Sequence, residues 1–205
     1  MATSTALNRA DHEAVERVVL IAASAGGIQA LITVLCALPA SFSAPVLILQ
    51  HRTTGRPGML ARVLQRGCHL PVKDAHPGDR LESGTVYVTP ANRHTRITQD
   101  HVMMMSDHIK INFLHASADP LFRSAAEAFG ARAIGVVLSG GGKNGAAGSK
   151  AIRDAGGVVI AQNEATSEHF GMPKAAIDAG AVTDVLALDD IAGALTELVD
   201  HSHTL

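Results

Sequence analysis

The sequence predicts an α/β fold: a doubly wound, mostly parallel sheet flanked by helices, with an antiparallel hairpin insertion around residues 71–106. Three observations carry this. Apolar runs end at Ala22, Gln50, Leu138 and Ala161, with a weaker one over Asp184–Leu188. Stretches at helical spacing lie between or after them, an alternation that argues for right-handed βαβ crossovers. Aromatic residues make up only 3% of the chain and Trp is absent, so Val, Ile, Leu and Ala must build the core, which suits helices packed on a parallel sheet.

The elements follow in order. Met1–Glu16 is polar and acidic and reads as a flexible tail, with residues 17–200 as one domain and 201–205 as a second tail. Arg17–Leu31 is a buried-strand run broken by Ser-Ala-Gly-Gly and resumed at helical spacing, giving a helix over Ile28–Ala37. Pro45–His51 is the next strand, and Pro57–Gln65 the next helix. Pro71–Ser106 differs: Val86-Tyr87-Val88, His94–Thr98 and Val102–Met105 are short, β-rich and separated by turn dipeptides, so they read as antiparallel strands. Met103-Met104-Met105 reads as a strand with one buried and one exposed face. Helices are then expected over Asp119–Ala131, Ala146–Ala155, Pro173–Ala179 and Asp189–Val199.

Composition excludes several function classes. With 205 residues, 47% apolar and a formal net charge of −2, the chain is expected to hold one core and to have no general attraction to nucleic acid or anionic lipid. There is no apolar run long enough for a membrane span and no signal-peptide pattern, so a cytoplasmic location is expected. Cys36 and Cys68 read as two reduced thiols. His101, His108 and His115 recur every seven residues without a matching Cys or carboxylate pattern, so no metal is expected. The glycine loop near residue 140 lacks the spacing of a nucleotide-binding fingerprint, and no cofactor is expected.

The informative constellation lies at strand ends. Ser24 follows the first strand, with Gly26 and Gly27 just before a helix, and His51 follows the second. In open α/β sheets, ligands gather at that edge. A serine and a histidine on one rim can serve as nucleophile and base; the blander reading of Ser24 is a helix N-cap, and that of His51 a surface or core histidine. The stretch Ala133–Gly148 supplies a third strand ending in Ser139 and a run of glycines, whose amides can face the same rim as oxyanion donors and whose loop can carry a residue that orients the histidine.

From Val18 to about Val199 the chain resembles the catalytic domain of the CheB family, the chemotaxis receptor methylesterases. The motifs are AASAGGIQAL around Ser24, ILQHRTTG around His51, TVYVTPANRH at Thr85–His94, VVLSGGGKNGAAG at Val136–Gly148 and AQNEATSEHFGMPKAAIDAGAV at Ala161–Val182. The resemblance implies a doubly wound domain and a Ser–His–Asp triad that hydrolyses glutamyl methyl esters on receptor helices, with glutamine deamidation as a related activity. Ser24 falls on the nucleophile and His51 on the base. The acid position falls on Asn144, so this chain departs from the family there. Where the family loop carries Met, this chain has Gly141, and backbone N–H groups near Ala25 and Gly141 are the expected oxyanion donors.

Gln50, Phe170 and Met172 match family positions bordering the site and are expected to shape it or meet substrate. His94, also matched, reads as structural. The expected partners are methylated receptor cytoplasmic helices. With only about 16 residues before the first strand, no receiver domain and no phosphorylation in cis are expected, and a separate regulatory protein stays open as a second partner. An alternative is a receptor-binding or regulatory module that keeps the cleft but turns over poorly.

Overall fold

The structure, a computed structural model, describes residues 15–51, 59–106 and 116–200. The elements in chain order are β1 (Val18–Ala23), α1 (Gly27–Ala37), β2 (Val46–Gln50), α2 (Met59–Gln65), β3 (Val72–Asp74), β4 (Val86–Val88), β5 (His94–Ile97) and β6 (Met103–Ser106). They continue with α3 (Ala118–Phe129), β7 (Ala133–Val137), α4 (Ala146–Asp154), β8 (Val158–Gln162), α5 (Gly171–Asp178), β9 (Asp184–Leu186) and α6 (Ile191–Asp200). Seven strands form one sheet in the order β3-β4-β2-β1-β7-β8-β9, every neighbouring pair parallel. The chain leaves β1 for β2 on one side and later returns to its other side with β7. The strand order therefore reverses at β1, which makes its carboxyl end the topological switch point.

Parallel strands covered on both faces must be apolar throughout, and β1 is buried at every position. Val19, Ile21 and Ala23 face a layer built by α1, α2 and α6. Val18, Leu20 and Ala22 face the opposite layer, where α3, α4, α5 and the β5–β6 hairpin pack. The strands expected at Ala22, Gln50, Leu138 and Ala161 end within one residue of those positions. Val15, placed in the flexible tail by its sequence, is already buried in the second layer; the rest of both expected tails, apart from Glu16, lies outside the described residues.

The 71–106 stretch holds the expected antiparallel hairpin, but only in its second half, where β5 and β6 pair from His94↔Ser106 to Ile97↔Met103. Val86–Val88, read from sequence as part of that antiparallel unit, instead pairs in parallel with β2 on one side and β3 on the other. Its three residues are all buried, because Val86 and Val88 point into one layer and Tyr87 into the other. Met103 is buried and Met104 exposed, as alternation on a half-covered strand requires. Helix Pro57–Gln65 is described from Met59 onward.

Helices α3 and α4 cross with Gly148 at the contact. A Cβ there would sit 2.7 Å from Phe122 Cβ and 2.9 Å from Asp119 Cα. Gly148→Ala is therefore expected to destabilise the domain by about 1–3 kcal/mol, the usual cost of overpacking, read as a lower denaturation midpoint in urea. A midpoint unchanged from the parent would show that the crossing can open without cost.

Candidate active site

The carboxyl ends of β1, β2 and β7 deliver Ser24, His51 and the Ser139–Gly142 loop to one rim. Backbone hydrogen bonds lock the three segments together. Ser24 N–H donates to Ser139 O at 2.9 Å, and His51 N–H donates to Ala23 O at 2.9 Å. Gln50 is buried and acts as a strut, its Nε2 donating to Ser24 O at 2.7 Å and to His51 O at 3.0 Å. Gly27 must be glycine beside that strut, since a Cβ would come within 2.6 Å of Gln50 Oε1. Its side chain thus braces backbone at the point where the sequence suggested substrate contact.

The Ser24 hydroxyl is not spent on structure. Helix α1 is capped at Gly26, in the left-handed region at φ 73°, without any side-chain cap bond, so the N-cap reading of Ser24 does not hold. Among the described residues its Oγ takes part in no hydrogen bond, and no hydrogen bond joins it to the His51 ring. Gly140 lies against Ser24, a Cβ there meeting Ser24 Cβ at 2.9 Å and Met172 Sδ still closer. Gly140 N–H donates to His169 O at 2.8 Å and Gly140 O accepts from Met172 N–H at 2.7 Å, so the glycine loop is stitched to the segment leading into α5. Gly141, next in that loop, and Ala25, beside Ser24, are both exposed. Met172 is fully buried in the second core layer, while Phe170 is half-buried at the start of α5. Glu168 completes the rim: its carboxylate lies over Gly26.

The environment of Asn144 decides what His51 experiences. Ala118 N–H donates to Asn144 Oδ1 at 3.0 Å, and the Ser117 hydroxyl donates to the same oxygen at 2.9 Å. A backbone N–H can be met only by the amide oxygen, so the Asn144 NH2 group must face the other way. It faces His51, with Nδ2 at 2.5 Å from Nε2. The resemblance puts Asn144 in the position of the acid that would accept from the histidine; the first turn of α3 has claimed its carbonyl, because helix N-termini present unpaired donors. Nε2 then accepts from Asn144, which places the proton of the neutral ring on Nδ1.

His51 is half-buried, and burial pushes its pKa below the ordinary histidine value, with the Ala116 backbone and the Asp119 charge opposing the shift. Asp119 does not stand in for the missing acid. Its Oδ1 accepts from Gly148 N–H at 2.8 Å, so the carboxylate pins α4. Asp184 lies on β9 at the far edge of the sheet.

One contributor, Ser117, is not visible in the chain read as a string, whereas His94 and Ser139 both stand out there. Ser117 caps α3 and orients Asn144. His94 is buried and its Nδ1 accepts from Ser117 N–H at 3.1 Å, a structural role as its hairpin position suggested. Ser139 is buried, its hydroxyl donating to Ala25 O at 2.8 Å and accepting from His169 N–H at 3.0 Å, which leaves it no freedom as a nucleophile. The one available signal was Ser117 two residues before Asp119, a helix-start pattern. His108 and His115 lie outside the described residues, and among the described ones no cluster of three or more His, Cys, Asp or Glu could hold a metal.

Residues 19–195 match the family model of the CheB methylesterase. The chain is a member of the CheB methylesterase family. It is 44% identical over 181 residues to protein-glutamate methylesterase/protein-glutamine glutaminase 2 of Anaeromyxobacter dehalogenans, covering 88% of this chain and 53% of that one. It is 40% identical over 176 residues to the protein of the same name in Koribacter versatilis, covering 84% of this chain and 48% of that one. The chain thus spans about half the length of these curated relatives. A Leptospira interrogans protein named for the same two activities is 38% identical over 174 residues, and there the match covers 90% of its length. The crystal structure of the Thermotoga maritima CheB methylesterase catalytic domain superposes with a TM-score of 0.87 at 33% identity, covering 91% of this chain and all of that one. The CheB fold and its topological switch point are therefore shared, and this CheB domain carries Asn144 on the loop that follows β7.

Proposed function

We propose that this domain hydrolyses glutamate methyl esters on the cytoplasmic helices of chemotaxis-type receptors, with Ser24 as nucleophile and His51 as base. The observation that carries the proposal is the Ser24 hydroxyl. It stands at the switch point of a CheB-type sheet, beside the glycine loop, capping no helix and, among the described residues, held by no partner. Ser24 Oγ would attack the ester carbonyl while His51 takes its proton and later gives one to methanol. The N–H groups of Ala25, next to Ser24 in the chain, and of Gly141, next to the Gly140 that lies against Ser24, would receive the oxyanion. Water would then hydrolyse the acyl-enzyme by the same route, and a glutamine side chain, losing ammonia, would follow the same path. Relatives named as both methylesterase and glutaminase support both substrates.

Asn144 sets the rate. The ring nitrogen not engaged by Asn144 is Nδ1, and in the favoured neutral tautomer that nitrogen already bears a proton. His51 accepts a proton from Ser24 only in the other tautomer, and the imidazolium then turns an N–H toward the Asn144 NH2. Both effects slow turnover. They also favour a second reading, a receptor-binding or regulatory module of the same fold. Methanol release from methylated receptor fragments, measured beside binding to those fragments, separates the two: binding without methanol release would overturn the esterase.

The pH profile gives an independent check. His51 works as a base only when neutral, and burial lowers its pKa. The acid limb of kcat/KM is expected below the ordinary histidine range, activity falling only as pH drops through that lowered value. A limb at or above the ordinary value would mean that another group titrates.

A further inference from the structure

We infer that Asn144 is a site of deamidation within the folded chain, and that its conversion to aspartate completes the candidate triad. Its activity arm rests on the proposed function; its chemical arm does not. Of the five asparagines, at positions 8, 92, 112, 144 and 163, only Asn144 precedes glycine, so only there does no side chain shield the following amide nitrogen. Lys143–Ala146 forms a turn closed by Ala146 N–H to Lys143 O at 3.3 Å, with Gly145 at φ 93° and ψ −13°, the third position of a type II turn. The Gly145 N–H donates no hydrogen bond among the described residues, so cyclisation sacrifices none.

The fold also activates the electrophile. Asn144 Oδ1 takes hydrogen bonds from Ser117 Oγ–H and Ala118 N–H, the arrangement of an oxyanion hole around the amide carbon. Gly145 N attacks Cγ, the Cγ–Nδ2 bond breaks, and Nδ2 leaves as ammonia with the proton from Gly145. Water then adds to the succinimide at Cγ, the carbonyl that the cradle polarises. The Cγ–N bond breaks, Gly145 regains its N–H, and a carboxylate is left at position 144. Attack at the main-chain carbonyl would give isoaspartate, but among the described residues no donor pair activates that group. The balance is amide plus water to carboxylate plus ammonium. The new carboxylate would lie between the α3 N-terminus and Nε2, where it accepts the ring proton that Asn144 rejects.

The test is ageing of the purified full chain in mildly alkaline buffer, with site-resolved peptide mass spectrometry and methanol release followed together. Asn144 is expected to convert before the other four asparagines, to give aspartate in excess over isoaspartate, and to raise esterase activity in proportion to the converted fraction. Ser117→Ala is expected to slow conversion on the order of tenfold, less than the roughly 10² for loss of a full oxyanion donor because Ala118 N–H remains, and Ser117→Thr to restore it. Asn144→Gln, one methylene longer, should gain neither acid nor activity. Retention of the Asn144 amide while other asparagines convert, a predominance of isoaspartate, or an unchanged rate in Ser117→Ala would overturn the inference. Clean conversion to aspartate with an unchanged rate of methanol release would overturn the completed triad, and no methanol release before or after conversion would refute the esterase while leaving the deamidation standing.

Discussion

Asn144→Asp is expected to raise kcat for methanol release by up to about 10⁴, the loss produced by the reverse change in a serine protease triad. The reason is local. One carboxylate oxygen would keep the Ser117 Oγ–H and Ala118 N–H bonds now made by Oδ1. The other would take the place of Nδ2 and accept from Nε2 of His51. The neutral ring would then carry its proton on Nε2, and Nδ1 would be free to receive the proton from Ser24. The gain should fall on kcat, with KM little changed, since the carboxylate acts as charge develops on the ring. The same negative charge favours imidazolium, so the acid limb of the pH profile should move upward relative to the parent. Stopped assays of parent and variant on one methylated receptor fragment check both. Equal rates in two active proteins would mean that position 144 does not govern His51.

Ser24→Ala is expected to have a small effect on the parent and a large one on Asn144→Asp. Groups that act as a unit are not additive: in subtilisin, losing the serine costs about 2 × 10⁶ in kcat and losing the acid alone about 3 × 10⁴. Their ratio leaves roughly 10² for the serine once the acid is gone. The parent should therefore lose on the order of 10², and the aspartate variant on the order of 10⁶. A serine-directed phosphonate should label Ser24 in both and nothing in the alanine variants. Methanol release that survives Ser24→Ala in the Asn144→Asp background would place the nucleophile elsewhere.

Much of the fold was legible because burial on both faces forces apolar runs, as in β1 and β2, and because helices with one covered face repeat at helical spacing, as in α3. Val86–Val88 was not, since three residues carry too little pattern to distinguish a parallel partner from a hairpin. That Ser24, His51 and Asn144 would come to one rim of the sheet was legible from strand ends, glycines and family motifs. The orientation of Asn144 was not. It depends on Ala118 N–H, twenty-six residues away in the chain, and on Ser117, itself held by His94 on a different sheet. Such contacts exist only after packing. Ser139 stood out in sequence as a serine after a strand; burial and two hydrogen bonds removed it from consideration.

The N-terminal turn of α3 gives position 144 a further property. Its donors and the helix macrodipole favour an anion over a neutral amide, typically by 0.3–1 kcal/mol at such termini. Enzymes commonly trade stability for function, because the groups that react are held in surroundings that disfavour them. Here the two would run together: the carboxylate that corrects the His51 tautomer is also the better ligand for Ser117 and Ala118. A population of these domains selected only for resistance to unfolding would drift toward the acid, because the amide at this position is the less favoured occupant of its own scaffold.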